Sequence, residues 1–272
     1  MKLKDRVIVI TGAASGIGRA LATRFAREQP AGLVLTDLPG QAAGLDATRA
    51  DISAIAPELA VLMHPGDVGI ESQVQALVAA AQARFGRIDV FCSNAGLIRD
   101  GDEHTQDADW QLNWQVHVMA HVYAARAVVP QMRERGEGYL LNTVSAAGLL
   151  TSLPSATYAV SKHAAIGLAE WLSVQHGEAG VRVSVLCPQA VDTPMIAGRA
   201  GSSAAKNDGV IAADALADVV VEGMDRESFL ILPHPQVLEY YQRKAGDYDR
   251  WLGGMRRFAA KLGVLPQPNA GR

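Results

Sequence analysis

Seven short apolar runs punctuate the chain: "RVIVI" (6–10), "GLVLT" (32–36), "LAVLM" (59–63), "RIDVFCS" (87–93), "YLLNTVS" (139–145), "VRVSVLC" (181–187) and "SFLIL" (228–232). They are apolar nearly throughout, as strands of a parallel sheet covered on both faces are. Helix-period segments lie between them: one running through Ala26 after a glycine-rich turn, then 69–85, 107–135, 155–179 and 211–225. The alternation predicts a single α/β domain, a doubly wound parallel sheet with helices on both faces. Residues 1–235 are assigned to that domain and 236–272 to a C-terminal helical extension of it. No linker, charge run or repeat divides the chain.

In the extension, Val237, Leu238, Tyr241, Ala245, Tyr248, Leu252, Met255 and Ala259 recur every three or four residues, predicting an amphipathic helix over 236–262 with Gly253-Gly254 as its weak point. Its other face carries Tyr240, Trp251, Arg256 and Arg257, while Glu239, Asp247 and Asp249 argue against a membrane-surface role. Packing on the domain, on a subunit partner or over the mouth of a site all stand as readings. The small, polar stretch 197–209 reads as a mobile loop and 266–272 as a frayed tail.

Composition narrows the function classes. With 272 residues, 49% of them apolar, the chain can bury a sizeable core, and its net charge of −3 offers no basic stripe for nucleic acid. No apolar run is long enough to span a bilayer. The first run is too short for a signal peptide, and no small-residue cleavage site follows it. Cys92 and Cys187 both sit in strand-like runs, which predicts buried free thiols rather than a disulfide or a metal site. A cytoplasmic protein without metal is expected.

The first strand leads into Thr11-Gly12-Ala13-Ala14-Ser15-Gly16-Ile17-Gly18. Glycines here allow a tight turn, close backbone approach and close helix packing, and the helix that follows offers unpaired N–H groups to a pyrophosphate. The second strand ends at Asp37, nineteen residues beyond Gly18. A carboxylate there accepts hydrogen bonds from an adenosine ribose and repels a 2′-phosphate. Position 38 is Leu and position 15 is Ser, not basic, so the pattern favours NAD over NADP. The plainer alternative is that Asp37 only starts the turn at Pro39-Gly40.

Tyr158 and Lys162 stand four residues apart, on one face of a predicted helix. Together with the glycine loop, Asp67-Val68, Asn94-Ala95-Gly96 and Ser145, this pair resembles the short-chain dehydrogenase/reductase family from about residue 5 to residue 195. The resemblance implies a Rossmann-type domain, a homodimer or homotetramer built through the 107–135 and 155–179 helices, and oxidation or reduction at an alcohol or ketone. It assigns Tyr158 as the proton acid/base, Lys162 as the group that lowers its pKa and binds the nicotinamide ribose, and Ser145 as a hydrogen-bond partner of the substrate oxygen. It places Gly12, Ser15, Gly16, Ile17, Gly18, Asp37, Leu38, Asp67, Val68, Asn94, Ala95, Gly96, Pro188, Val191 and Thr193 around the cofactor. A free phenol with pKa ~10 is a poor base at neutral pH, and a neighbouring ammonium favours the phenolate.

The pattern departs from the family in two places. His117 stands where the family carries an asparagine, and it reads either as a hydrogen-bonded space filler or as a member of a proton relay able to titrate near pH 6–7. Gln189 stands where the family has glycine after Pro188, and it either narrows the substrate pocket or points to solvent. Leu149, Leu153, Gln189, Met195 and Ile196 are the candidate substrate contacts, suited to a bulky apolar alcohol or ketone such as a steroid, terpenoid or aromatic carbinol; Leu149 and Leu150 read equally well as core. Two alternatives stand beside the NAD-dependent enzyme: an NADPH-dependent ketone or acyl-thioester reductase, and a dinucleotide-binding sensor or scaffold that has lost catalysis.

Overall fold

The computed structural model describes residues 1–197 and 206–264. Seven parallel strands form one sheet: β1 (Val7–Thr11), β2 (Gly32–Thr36), β3 (Val61–Met63), β4 (Val90–Ser93), β5 (Gly138–Thr143), β6 (Val181–Leu186) and β9 (Leu230–Ile231). Their order is β3-β2-β1-β4-β5-β6-β9. The strand order reverses between β1 and β4, the crevice where sheets of this class hold their ligands. The two-residue strands β7 (Val191–Asp192) and β8 (Ile211–Ala212) pair separately.

Alternate side chains of each strand enter different cores, which explains the unbroken apolar runs. Ile8, Ile10, Val90, Cys92, Tyr139 and Leu141 face one layer, built with α1 (Gly16–Ala26), α2 (Ala42–Ile55) and α8 (Ala213–Asp225). Val9, Phe91 and Leu140 face the other, built with α3 (Glu71–Phe85), α5 (Ala120–Arg135) and α7 (Ala156–His176). Cys92 and Cys187 are buried and free. Among the described residues no helix is long and apolar enough to cross a membrane.

Several expectations need correction. Helix α2 was not among the predicted helices, because only Leu45, Thr48 and Ile52 of its residues are buried, a stripe too narrow to stand out in an alanine-rich stretch. The predicted 107–135 helix is α4 (Asp107–Trp114) and α5 joined by a π-helical turn, Gln115–Met119. The C-terminal extension is two helices, α9 (Gln236–Gly246) and α10 (Tyr248–Lys261), and the break falls at Asp247 rather than at Gly253-Gly254. The Asp247 side chain accepts the Arg250 N–H at 2.9 Å as the N-cap of α10, a role for which aspartate is among the best residues. Val237 is packed in the second core, whereas Leu238, Tyr248 and Leu252 of the predicted apolar face are exposed. Most of the 197–209 stretch and the whole 266–272 tail lie outside the described residues.

Candidate active site

The glycine loop closes against the end of β4. A Cβ at Gly12, where φ is +67°, would stand 2.9 Å from the Ala95 Cα; one at Gly18 would stand 2.0 Å from the Gly12 carbonyl oxygen and 2.7 Å from Asn94 Nδ2. No side chain fits at either position, so the loop backbone packs directly against Asn94, Ala95 and its own turn at the strand ends. Ser15 precedes α1 without capping it through its side chain, leaving the first N–H groups of the helix available to an anion. Ile17 is half-buried against the first core. Thr193 lies across the loop from Gly16, whose added Cβ would meet the threonine methyl at 3.1 Å.

Asp37 sits at the C-terminal end of β2. Its carboxylate accepts the Ala14 N–H at 3.0 Å and the Leu38 N–H at 2.8 Å, which ties it to the glycine loop. Leu38 is 50% exposed beside it. Asp67 accepts the Gly69 N–H at 2.8 Å. Val68 lines a cavity of about 10 Å³ shared with Thr11, Ser93, Ala95 and His121.

A hydrogen-bond chain crosses the strand ends. Thr11 Oγ1 accepts from the N–H groups of Asn94 (2.9 Å) and Ala95 (3.0 Å), and Asn94 Nδ2 donates to the Thr11 carbonyl at 3.0 Å. Thr143 Oγ1 donates to Asn94 Oδ1 at 3.0 Å, and the Thr143 carbonyl accepts from Lys162 Nζ at 3.0 Å. This chain joins β1, β4, β5 and α7. Sequence reading assigned no role to Thr11 or Thr143, although each is the hydroxyl-bearing residue where an apolar run meets a loop.

Ser145 follows β5 with φ +146°, a conformation that side-chain-bearing residues rarely adopt and that costs of order 1–3 kcal/mol. Its Oγ accepts the Ala147 N–H at 3.1 Å as the N-cap of the short helix α6 (Ala146–Leu149) and donates to the Pro188 carbonyl at 3.4 Å. The Ala146 N–H reaches the same carbonyl at 2.8 Å, so the β5 and β6 loops are held together. Tyr158 and Lys162 project from the first turns of α7, with Lys162 Nζ 5.5 Å from the Tyr158 ring centroid. Burial draws the Lys162 ammonium down to about 7.

His117 lies in the π-helical turn, fully buried. Its Nε2 accepts the Leu97 N–H at 3.2 Å, so Nδ1 carries the proton of the neutral ring and donates to Ser161 Oγ at 2.9 Å; Ser161 in turn donates to the Thr157 carbonyl at 2.8 Å. The ring meets Tyr158 edge-on at 5.4 Å. Burial, then the Lys162 charge, hold its pKa well below the usual imidazole value. Gly96 lies on its other side, where an added Cβ would stand 3.5 Å from Nε2, in ordinary van der Waals contact.

The candidate substrate residues divide. Leu149 is buried in the second core. Leu153 and Ile196 are half-buried and Met195 is exposed. Gln189 is half-buried: its Nε2 donates to Asp208 at 2.9 Å and its N–H to His234 Nδ1 at 3.1 Å. Val191 is buried, and its carbonyl accepts from Thr193 Oγ1 at 3.2 Å.

Comparison with known proteins agrees with this arrangement. The sequence profile described as short chain dehydrogenase matches residues 6–202. The 1-deoxy-11-beta-hydroxypentalenate dehydrogenase of Streptomyces exfoliatus is 38% identical over 235 residues, covering 85% of this chain and 84% of that one. The crystal structure of levodione reductase superposes with a TM-score of 0.77 at 31% identity, over 85% of this chain and 95% of that one. A short chain dehydrogenase/reductase from Burkholderia phymatum, in complex with NAD, superposes with a TM-score of 0.79 at 28% identity over the full length of both chains.

Proposed function

The chain belongs to the short chain dehydrogenase family, and we propose that it is an NAD-dependent oxidoreductase that interconverts a secondary alcohol and a ketone on a bulky apolar substrate. The observation that carries this reading is the convergence of three groups. Ser145 stands at the end of β5, Tyr158 and Lys162 share one face of α7, and Lys162 is anchored on the carbonyl of Thr143, a residue that Asn94 links to Thr11 at the start of the glycine loop.

The residues present fit the dinucleotide. Gly12, Gly16 and Gly18 allow the tight turn and close backbone packing of a phosphate loop, the uncapped start of α1 offers N–H donors to a pyrophosphate, and Asp37 with the uncharged Leu38 suits a free ribose 2′-hydroxyl. Ser15, Ile17, Asp67, Val68, Asn94, Ala95 and Gly96 border the same crevice, and Pro188, Val191 and Thr193 its β6 side. The NAD complex of the Burkholderia phymatum relative supports the choice of cofactor. When bound, the nicotinamide ring supplies the redox equivalent that the protein's own side chains lack.

Ser145 Oγ, fixed by Ala147 and Pro188, positions the substrate oxygen. Tyr158 Oη takes the hydroxyl proton in oxidation and returns it in reduction. Lys162 makes the phenolate accessible. Burial makes this ammonium easier to deprotonate, and a phenolate formed beside it would favour its charged form, as the ammonium favours the phenolate. Leu153, Met195 and Ile196 supply apolar surface on the substrate side, suited to a steroid, terpenoid or aromatic alcohol.

We assign 236–264 to the same domain as 1–235, because Val237 is embedded in the second core. The buried free thiols suit a cytoplasmic setting. Replacing Tyr158 by Phe tests the chemistry: turnover of a secondary alcohol with NAD should be lost while NADH binding, followed by fluorescence, persists. Near-normal turnover by that variant would refute the assignment.

A further inference from the structure

Helix α9 touches both segments that border the substrate side of the site, and it does so from one face. Tyr240 and Lys244 are four residues apart and so share that face. Tyr240 OH donates to Asp208 Oδ1 at 3.0 Å, and the other oxygen of Asp208 accepts from Gln189 Nε2 at 2.9 Å. Asp208 therefore joins α9 to the loop after β6, where Gln189 replaces the expected glycine. His234, just before α9, accepts the Gln189 N–H on Nδ1 at 3.1 Å and fixes the same loop through its backbone.

One turn further along, Lys244 is buried, unusual for a lysine. Its Nζ donates to the carbonyls of Leu149 (2.7 Å) and Leu150 (2.9 Å) and lies 3.2 Å from His163 Nε2. The rings of Trp251 and Tyr248 on α10 face it at 5.1 and 5.5 Å. The two carbonyls belong to the end of α6, the helix that Ser145 begins. Among the described residues, this ammonium is balanced by carbonyls, an imidazole nitrogen and two aromatic faces. Such a set fixes the position of the peptide groups it grips.

We propose that Tyr240 and Lys244 are positioning residues that set the shape of the substrate pocket, with one turn of α9 holding the Gln189–Asp208 wall and the Ser145–Leu150 wall at a fixed separation. This rests on the oxidoreductase reading above. Neither residue touches the reacting atoms; both act through the segments they hold. A pocket with walls held in this way selects for the fit of a large, rigid alcohol and has little effect on a small one.

Two variants test it. Tyr240→Phe removes one hydroxyl and keeps the ring; Lys244→Met removes the charge and keeps the stem. With borneol as the large secondary alcohol and 2-propanol as the small one, KM for borneol should rise about tenfold, the change expected for losing one hydrogen bond to a charged group. The kcat and KM for 2-propanol and the affinity for NAD should hold to within about twofold. Combining Tyr240→Phe with Asp208→Ala should add little to Asp208→Ala alone, since that variant already breaks the link to Tyr240. Amide hydrogen exchange supplies a readout independent of turnover: Lys244→Met should speed exchange in 146–153, and Tyr240→Phe in 206–212. Equal losses with both alcohols, unchanged KM for borneol, or unchanged exchange in these segments would overturn the proposal. Absence of NAD-linked turnover with every alcohol would defeat the functional reading instead, and the exchange measurement would still decide the clamp.

Discussion

His121 gives the sharpest physical prediction because its burial is expressed as a slope against pH. The residue lies one turn beyond His117, 2% exposed, and neither ring nitrogen has a partner among the described residues. Burial, with the Lys162 charge second, brings its pKa from 6.5 to about 3. The folded protein thus keeps this ring neutral at pH values where the unfolded chain binds a proton. The contribution to stability is fully present above pH 6.5 and is lost as the pH falls towards 3. At 1.36 kcal/mol per pKa unit the full loss is about 5 kcal/mol, and about 2 kcal/mol is already lost at pH 5.

His121→Leu removes the titration and keeps an apolar side chain in the same place. Its stability at pH 8 relative to the unmutated protein is set by packing and is not the test. The test is the difference between the two curves. Urea unfolding or thermal melts between pH 8 and pH 5 should show the unmutated protein losing about 2 kcal/mol more than the variant, a divergence in Tm of about 4 °C for a chain of this length. Carboxylates and surface histidines titrate in both proteins and cancel. Parallel curves over that range would show that the ring is not held neutral, and the reasoning from burial would fail.

Three further expectations follow from the site. The unmutated protein should prefer NAD over NADP by at least an order of magnitude in kcat/KM, and Asp37→Ala with Leu38→Arg should move preference towards NADP, since position 38 is exposed enough to take a guanidinium; equal use of both cofactors before mutation would defeat this. Gly18→Ala should abolish NAD binding measured by calorimetry, because its Cβ would lie 2.0 Å from the Gly12 carbonyl oxygen, and retained affinity would show that the loop yields. Light scattering should find a dimer or tetramer, and Trp171→Glu should lower the mass, since Trp171 on α7 is 57% exposed next to exposed Val174; a monomer at micromolar concentration would count against it.

What the sequence made legible was local. The glycine loop, Asn94-Ala95-Gly96 and the Tyr158–Lys162 pair are each contained within a few residues, so their spacing could be seen directly. The strands were visible because both faces are buried. What escaped notice was long-range or weakly patterned. The Lys244 contact to Leu149 spans 95 positions, and no periodicity marks a lysine as buried. The Asp208 link depends on three segments meeting. On α7, Ala165, Ala169 and Leu172 are packed in the chain's own core, and Trp171 and Val174 take the outside. Helical period identifies faces but not which neighbour each face meets.

The two departures from the family pattern differ in one physical respect: both ring nitrogens of His117 have partners, whereas Gln189 is partnered on its amide nitrogen while its buried Oε1 has none among the described residues. A buried polar group without partners costs about 1–3 kcal/mol, so the Gln189 oxygen carries a cost that the His117 ring does not. Gln189 is satisfied on its amide nitrogen by Asp208, and through its backbone by His234, both from outside the loop that contains it. His117 is satisfied on both nitrogens, by Leu97 and Ser161. That satisfaction bears on the relay question. A ring whose pKa is held far below neutrality does not pick up a proton at the pH of turnover. To pass one while neutral it would have to exchange tautomers, breaking the bond from the Leu97 N–H and turning Ser161 from acceptor to donor away from Thr157. The space-filling reading asks for no such rearrangement, and it gives the ring a use: standing edge-on to Tyr158 at 5.4 Å, it holds the phenol that the proposed chemistry depends on.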